Sequence, residues 1–153
     1  MKKLFSFLMI VFTTLSFVAS AQPPTSLKIV NNSHCTVCFY VAGAKGPDCI
    51  PLTSRTNTIC LLPGGSITWS NTSVAPFSPP MAAGGIFSML CWYNYDPSSI
   101  CPAIPIAQRC IYDKCAGSPQ VDKQNVYNGD CKLCGSVTGT WSSSGGMATV
   151  VFN

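Results

Sequence analysis

Two pairs of closely spaced cysteines are the residues of this sequence with the widest choice of chemistry. Cys35 and Cys38 form one C-x-x-C pair, and Cys131 and Cys134 form another. Two such pairs can bind zinc, and one pair at the start of a helix can act as a redox dithiol. However, 92 residues separate the pairs, and neither precedes a helical pattern. Long-range disulfides are therefore the preferred interpretation, with zinc and redox sites as the alternatives.

The geometry of an extended chain also favours disulfides to distant partners. Residues three apart in a strand have Cα atoms roughly 10 Å apart, whereas a disulfide requires about 4.4–6.8 Å. The odd spacing points the two side chains to opposite faces of a sheet. We therefore expect each cysteine of a C-x-x-C pair to bond elsewhere, with the pairing left open. The predicted disulfide residues are Cys35, Cys38, Cys49, Cys60, Cys91, Cys101, Cys110, Cys115, Cys131 and Cys134.

Few residues could support hydrolysis. His34 is the only histidine, so a Ser–His or Cys–His mechanism would have to use it. It lies in a predicted turn, which favours a solvated side chain. A catalytic carboxylate pair would have to come from aspartates in turn-like contexts, where aspartate commonly bonds to its own backbone. These aspartates are Asp48, Asp96, Asp113, Asp122 and Asp130. We therefore expect a protein without catalytic residues, metal or cofactor.

A cluster of aromatic residues is the strongest candidate for ligand binding. Trp92, Tyr93 and Tyr95 lie within four positions, and Asp96 follows them. Strand alternation would place Tyr93 and Tyr95 on one face and Trp92 on the other. Flat rings beside a carboxylate can stack on sugars or peptides, so these four residues are the predicted ligand-binding residues. In the competing interpretation Trp92 packs in the core, as a Trp beside a cystine often does in β-sandwiches.

The N-terminal segment predicts export. Lys2 and Lys3 precede an apolar stretch, and Ala19-Ser20-Ala21 forms a small-x-small cleavage site, so residues 1–21 are a predicted signal peptide. The apolar stretch is shorter than the roughly 20 residues of a membrane-spanning helix, so we expect no span after cleavage. All ten cysteines lie in the mature domain, residues 22–153. An even count in an exported chain indicates an oxidising location: the periplasm, the cell surface or the outside of the cell.

The charge of the mature chain argues against nucleic acid as a partner. Without Lys2 and Lys3 it carries seven basic and five acidic residues. The basic residues are spread singly along the chain, whereas binding to nucleic acid requires clusters that neutralise several phosphates. The predicted partners are therefore a glycan or a protein.

Short apolar alternations between turn signals predict an all-β fold, a single disulfide-cross-linked β-sandwich or jelly-roll-like domain. The segments Asn71–Gly85 and Pro97–Pro105 are predicted loops, and Ile106–Cys115 could hold one or two helical turns. A final hairpin is expected from alternating residues on both sides of Ser143–Gly146. The predicted strands before it are Ser26–Asn32, Cys35–Gly43, Thr58–Leu62, Ser66–Ser70 and Ile86–Tyr95, with Cys131–Ser142 leading into the hairpin.

The start of the mature domain resembles a known family. Leu27-Lys28-Ile29-Val30-Asn31-Asn32, Cys35-Thr36-Val37, Leu62-Pro63-Gly64-Gly65-Ser66 and Trp69 resemble the opening of thaumatin-like proteins over about 45 residues. This resemblance implies a secreted, disulfide-rich β-sandwich. The acidic cleft residues of that family have no counterparts that can be placed here, so the resemblance does not extend to its glucan-related activity. The chain also resembles small, uncharacterised secreted bacterial proteins that combine strands and cystines in this way.

These observations favour a secreted, non-catalytic recognition module that binds glycan or protein at the cell surface or outside the cell. A secreted effector or inhibitor of hydrolases is the first alternative, in which the cystines mainly resist proteolysis. A small hydrolase that uses His34 or a pair of aspartates is the second.

Overall fold

The computed structural model describes residues 22–46 and 48–153, so the predicted signal peptide lies outside the described residues. None of the described residues forms a helix long and apolar enough to span a membrane. The strands are β1 (Ser26–Asn31), β2 (Val37–Ala44), β3 (Leu52–Thr56), β4 (Ile59–Leu61), β5 (Ser66–Trp69), β6 (Phe77–Ser78), β7 (Ile86–Tyr93), β8 (Gln108–Tyr112), β9 (Val121–Tyr127), β10 (Leu133–Ser144) and β11 (Met147–Phe152).

These strands form two sheets. The first has the strand order β5-β1-β11-β10-β9, and the second has the order β6-β3-β2-β7-β8, with β4 paired to β2. Strands β1 and β11 run parallel, with Ser26 opposite Met147 and Asn31 opposite Phe152. The other pairs are antiparallel, as in β1 with β5 and in β2 with β7. The predicted all-β sandwich is confirmed.

The core lies between the two sheets. Trp92 on β7, Phe39 on β2 and Phe152 on β11 are fully buried there. The rings of Trp92 and Phe152 meet edge to face with their centroids 5.5 Å apart, a favoured aromatic arrangement. A side chain at Gly139 on β10 would place its Cβ 3.0 Å from the Trp92 ring. The first sheet therefore leaves room at this position for the largest core residue of the second.

The C-terminal hairpin agrees with its prediction. Its turn contains Gly145 and Gly146, which have φ angles of 58° and 80°. Glycine adopts such angles without the steric cost that other residues incur. The alternating residues on β10 and β11 all face the core: Val137, Gly139, Trp141, Ala148, Val150 and Phe152.

Several segments differ from the prediction. The segment Ile106–Cys115, in which helical turns were expected as one possibility, contains strand β8. The predicted loop Asn71–Gly85 contains the short strand β6. Strands β3 and β9 were not predicted, because most of their residues are polar and lack apolar alternation. Backbone pairing with β2 and β10 makes these segments strands, so neighbouring strands override local preference here.

All ten cysteines lie within the described residues and form five disulfides. The bridges are Cys35–Cys134, Cys38–Cys60, Cys49–Cys115, Cys91–Cys110 and Cys101–Cys131. Neither C-x-x-C pair closes on itself, which confirms that each of these cysteines joins a distant partner. A bridged sulfur is not the thiolate that zinc binding or redox attack requires. Five bridges indicate an oxidising environment for the folded chain.

Two polar contacts connect the sheets across the edge of the core. The Trp141 indole on β10 donates a hydrogen bond to the buried Asp113 carboxylate just beyond β8, at 3.0 Å. The Gln124 amide on β9 donates to the backbone carbonyl of Trp92 on β7, at 2.9 Å. Buried polar groups that lack a partner are costly, so these contacts help to specify how the two layers align.

Candidate functional site

The structure places Trp92 in the core and not on a surface that could bind a ligand. Its side chain has no solvent-exposed surface, and it packs against Phe152 and the backbone of Gly139. A ring without an exposed face cannot stack on a ligand. The prediction of Trp92 as a ligand-binding residue is therefore corrected, and its competing interpretation as a core residue agrees with the structure.

Tyr95 requires the same correction for a different reason. Strand β7 ends at Tyr93, so the alternation expected to carry Tyr95 to the surface stops before it. The Tyr95 side chain is only 8% exposed, and its hydroxyl donates to the carbonyl of Ile104 at 3.2 Å. The Asn94 side chain likewise bonds to the backbone of the loop, at Pro105 and Ala107. These two residues hold the loop after β7 in place.

Asp96 lies at the half-buried edge of a small polar pocket of about 180 Å³. One of its carboxylate oxygens accepts hydrogen bonds from the backbone N–H and the hydroxyl of Ser98, at 2.9 and 2.7 Å. The pocket is also lined by Ser99, Tyr127 and Asn128. Trp92, Tyr93 and Tyr95 do not line this pocket, so the four predicted residues do not form one site.

Tyr93 is the predicted residue that lies on the outer face of the second sheet, where it is half-buried. The ring of Tyr40 lies beside it, with the centroids 6.1 Å apart and the planes inclined by 47°. The exposed Arg55 guanidinium lies over the Tyr40 ring, 5.8 Å from its centroid. We call Tyr40, Arg55 and Tyr93 the tyrosine–arginine face.

Strand register brings these three side chains together. Arg55 on β3 pairs with Ala42 on β2. Ala42 is two residues from Tyr40, so both lie on the same face. Tyr40 in turn pairs with Cys91 on β7, and Tyr93 is two residues beyond Cys91 on the same side. The face is thus assembled from three adjacent strands whose inner sides hold the core.

Two cystines cross-link the strands that carry this face. Cys38 lies opposite Cys60 on the paired strands β2 and β4, and Cys91 lies opposite Cys110 on β7 and β8. In both cystines the Cα atoms are 4.0 Å apart. A bond between directly paired residues prevents the neighbouring strands from slipping in register, which would move every side chain to the other face.

The surroundings of Tyr40 change its acidity. Burial raises the pKa of its phenol above the ordinary value of about 10. The nearby Tyr93 phenol raises this pKa further, whereas the Arg55 guanidinium and a hydrogen bond with the Gln108 side chain lower it. The net direction is upward, so Tyr40 is neutral at physiological pH, and its hydroxyl can both donate and accept a hydrogen bond.

Two pockets lie on this face of the second sheet, and a third adjoins them through Thr53 and Ser54. The tyrosine pocket, about 140 Å³, lies between Tyr40, Arg55 and Tyr93. The strand pocket, about 280 Å³, lies between Tyr40, Arg55 and Met89. The loop pocket, about 560 Å³, lies between Lys45 and residues 79–85. Only the last has the size usual for small-molecule sites, about 300–1,000 Å³.

His34 lies away from these pockets. Its side chain is exposed, and its Nε2 atom is 3.0 Å from the backbone carbonyl of Cys134. The group of possible metal ligands that includes His34 consists otherwise of Cys35 and Cys134, which are bonded to each other. His34 therefore covers a cystine, and its ring contacts backbone.

Sequence reasoning missed Tyr40 and Arg55. A signal for Tyr40 was present, since alternation in the second predicted strand places it opposite the apolar face of Val37, Phe39 and Val41. Arg55 carried no such signal, because its segment was not predicted to be a strand. Comparison with protein-family models, with curated proteins and with solved structures found no match to this chain.

Proposed function

We propose that this chain is an exported, non-catalytic recognition module that binds glycan through its tyrosine–arginine face. The observation that carries the proposal is the half-buried Tyr93 on the outer face, next to Tyr40 with the Arg55 guanidinium over its ring. A stacking surface and an oriented hydrogen-bond donor thus lie next to each other on a rigid sheet.

Tyr93 supplies the stacking surface. The face of an aromatic ring carries partial negative charge, and the C–H groups on one side of a pyranose ring carry partial positive charge. Tyr40 is less suited to this contact because the Arg55 guanidinium lies over its ring. We therefore assign stacking to Tyr93 and the orientation of Arg55 to Tyr40.

Arg55 supplies directional hydrogen bonds. Its planar guanidinium presents five N–H donors in a fixed arrangement, and the contact with Tyr40 reduces the number of orientations open to it. Hydroxyl and amide side chains at Thr58 and Asn57 line the same pocket. Sugars present many hydroxyl groups, so this mixture of a flat ring and several polar groups is well suited to them.

The site of action proposed here is the oxidising space outside the cytoplasm. The five disulfides are stable in such a compartment, and the predicted signal peptide supplies the route of export. Disulfides also restrict the unfolded chain, which protects a small domain where proteases are present.

The direct test is binding of the oxidised, exported chain to immobilised polysaccharides, with chitin, cellulose and peptidoglycan as neutral or mixed probes and polygalacturonate and alginate as acidic ones. Truncation of a central aromatic residue at a binding site costs about 2 kcal/mol or more, a roughly 30-fold loss of affinity. We expect Tyr93→Ala to weaken binding to this extent. Tyr127→Ala, the same substitution on β9 of the first sheet, is the matched control and should leave the affinity unchanged.

Two outcomes would contradict this proposal. Equal binding by wild type, Tyr93→Ala and Tyr127→Ala would show that the tyrosine–arginine face is not used. The absence of binding to every polysaccharide, combined with tight inhibition of a glycosidase or protease panel, would replace the recognition module with the hydrolase inhibitor. Circular dichroism and thermal unfolding of each variant verify that the fold is retained.

A further inference from the structure

The loop, strand and tyrosine pockets adjoin one another along the second sheet. The loop and strand pockets share Thr53 and Ser54. The strand and tyrosine pockets share Tyr40 and Arg55. We call the three together the binding track.

The binding track is longer than a single sugar residue. Strand β2 runs beneath the track. One end is at Phe39, which pairs with Trp92 next to Tyr93, and the other is at Ala44, next to Lys45 of the loop pocket. Five steps of strand at about 3.3 Å each correspond to roughly 17 Å. One monosaccharide could occupy only one of the three pockets, whereas an extended chain of several residues could contact all of them.

The charge of the binding track has one sign. Among the described residues that line its three pockets, Arg55 and Lys45 are the charged side chains, and there is no carboxylate. Arg55 borders the middle and one end of the track, and Lys45 borders the other end. A ligand with negative charges along its length would therefore meet a cation in each pocket.

We infer that the ligand is a linear polysaccharide that bears carboxylate groups, such as a polymer of uronic acids, with Arg55 and Lys45 as its two carboxylate contacts. This inference rests on the proposed function and adds the class and length of the glycan. The Arg55 guanidinium can bind both oxygens of one carboxylate, a geometry that a lysine does not offer. Lys45 contributes a less directional charge to a second carboxylate farther along the chain.

The first sheet supplies a matched control for charge alone. Lys28 on β1 and Lys123 on β9 are exposed cations on its outer side. Their neighbours on that side are short hydroxyl side chains such as Thr149 and Thr138, which lie directly opposite them in the sheet. General attraction of a polyanion to a positively charged protein would involve these lysines as much as Arg55 and Lys45.

The experiment compares each acidic polysaccharide with its own carboxyl-reduced derivative, which keeps the backbone and loses the charge. The probes are polygalacturonate, alginate and hyaluronate, and the readout is the affinity of the oxidised chain at two salt concentrations. For the polymer that binds best, we expect carboxyl reduction to weaken binding about tenfold or more, the loss expected for a charge-assisted hydrogen bond. Oligomers from dimer to octamer should bind more tightly with length until the track is filled.

Variants then test the two cations. Arg55→Gln should weaken binding of the acidic polymer about tenfold or more and reduce its preference over the carboxyl-reduced form, with the remaining preference due to Lys45. Arg55→Lys should restore part of the affinity, because it keeps the charge and loses the paired hydrogen bonds. Lys45→Gln should weaken the binding of long oligomers and leave the affinity for dimers unchanged. Lys28→Gln should change neither of these affinities.

The outcomes separate this inference from the proposed function. Binding that is lost in Tyr93→Ala but equal for acidic and reduced polymers would overturn the acidic ligand and support glycan recognition. Equal affinity for dextran sulfate, or equal losses in Lys28→Gln and Arg55→Gln, would show non-specific attraction of polyanions and overturn the carboxylate contacts. The absence of binding to any polysaccharide would overturn both.

Discussion

The outer faces of the two sheets cover the same core and carry different side chains. On the first sheet the outer face carries many short hydroxyl groups and two lysines: Lys28, Ser66, Thr68, Lys123, Thr138, Thr140, Ser142 and Thr149. The exposed Val121 and Met147 and the half-buried Tyr127 lie on the same side. On the second sheet the outer face presents Tyr40, Tyr93 and Arg55 beside two cystines on the same face. Both faces belong to strands with an apolar inner side, so the requirements of the core do not explain the difference.

The difference is instructive because short polar residues are what a solvated sheet face needs. Serine and threonine interact with water and pack well on a pleated surface, and a face made of them requires no further explanation. Half-buried tyrosines keep part of their aromatic surface in contact with water, which costs free energy in an unbound protein. The second face differs in that Tyr40 and Tyr93 adjoin each other and a guanidinium lies over Tyr40, and we attribute this cluster to ligand binding.

The distribution of disulfides separates the same two faces. The bridges Cys38–Cys60 and Cys91–Cys110 join directly paired residues within the second sheet. The bridges Cys49–Cys115 and Cys101–Cys131 join connecting segments, and Cys35–Cys134 links the segment before β2 to β10. The face that we assign to binding is therefore also the one whose strands are covalently held in register.

The largest expected effect is a loss of stability, and it tests whether the adjacent residues Trp92 and Tyr93 of β7 lie in different environments. Trp92→Ala should destabilise the fold by about 3–5 kcal/mol, because it removes a fully buried aromatic side chain and leaves a cavity. Tyr93→Ala should cost about 1 kcal/mol or less, since Tyr93 lies on the outer face and is only half-buried. Denaturant unfolding of the oxidised variants measures both values. Similar losses of stability in the two variants would contradict the assignment of Tyr93 to the outer face.

The second effect tests whether the cystines of the second sheet hold the binding face in register. Removal of Cys91–Cys110 by a double alanine substitution should destabilise the fold by about 2–4 kcal/mol, as should removal of Cys101–Cys131. Only the first should also weaken polysaccharide binding, because it releases β8 from β7 next to Tyr93. Affinity is measured at a temperature where both variants are folded. An equal affinity in both would contradict a role of the cystine in the binding face.

The smallest effect concerns the ionisation of Tyr40. The pKa of Tyr40 is raised in the folded protein by burial and by Tyr93, so the folded state retains the phenolic proton longer than the unfolded state. Stability is then fully present below about pH 10 and falls as the pH rises through the folded pKa. NMR titration with labelled tyrosine, assigned through Tyr40→Phe, measures this value directly.

The same titration tests the contact with Arg55 without any ligand. The Arg55 guanidinium lowers the pKa of Tyr40, so Arg55→Gln should raise this pKa further. Lys28→Gln, on the other sheet, should leave it unchanged. A Tyr40 pKa that does not respond to Arg55→Gln would show that the two side chains do not interact in solution. A Tyr40 that titrates at or below the ordinary value would contradict the raised pKa.

Much of the fold could be predicted because its signals are local. Alternation of apolar residues marks β2, β10 and β11. The prediction that the two members of each C-x-x-C pair bond to distant partners is also confirmed, although Cys35 and Cys131 precede the strands expected to contain them. Strands β3 and β9 could not be predicted from their own residues, because they are strands by virtue of their neighbours. Strand β9 is an edge strand, and β3 has only the two-residue β6 on its far side, and such strands need few apolar residues.

The candidate site was predicted less completely. Of the four predicted residues, Tyr93 lies on the tyrosine–arginine face, while Trp92 and Tyr95 are buried. The alternation correctly placed Trp92 and Tyr93 on opposite sides, but it could not show where the strand ends. Two residues beyond Trp92 the chain turns into a loop, and Tyr95 packs beneath it.

The amino-acid sequence by itself determined the class of this protein: an all-β chain with alternating strands, a predicted export signal and an even set of cysteines suited to an oxidising compartment. These properties follow from composition and from periodicities of two residues, which are local. The tertiary structure decided which cysteines bond, which aromatic residues reach the surface and which side chains adjoin them. Arg55 lies over Tyr40 because β3 pairs with β2 in one particular register, and register is set by the packing of both sheets around the common core.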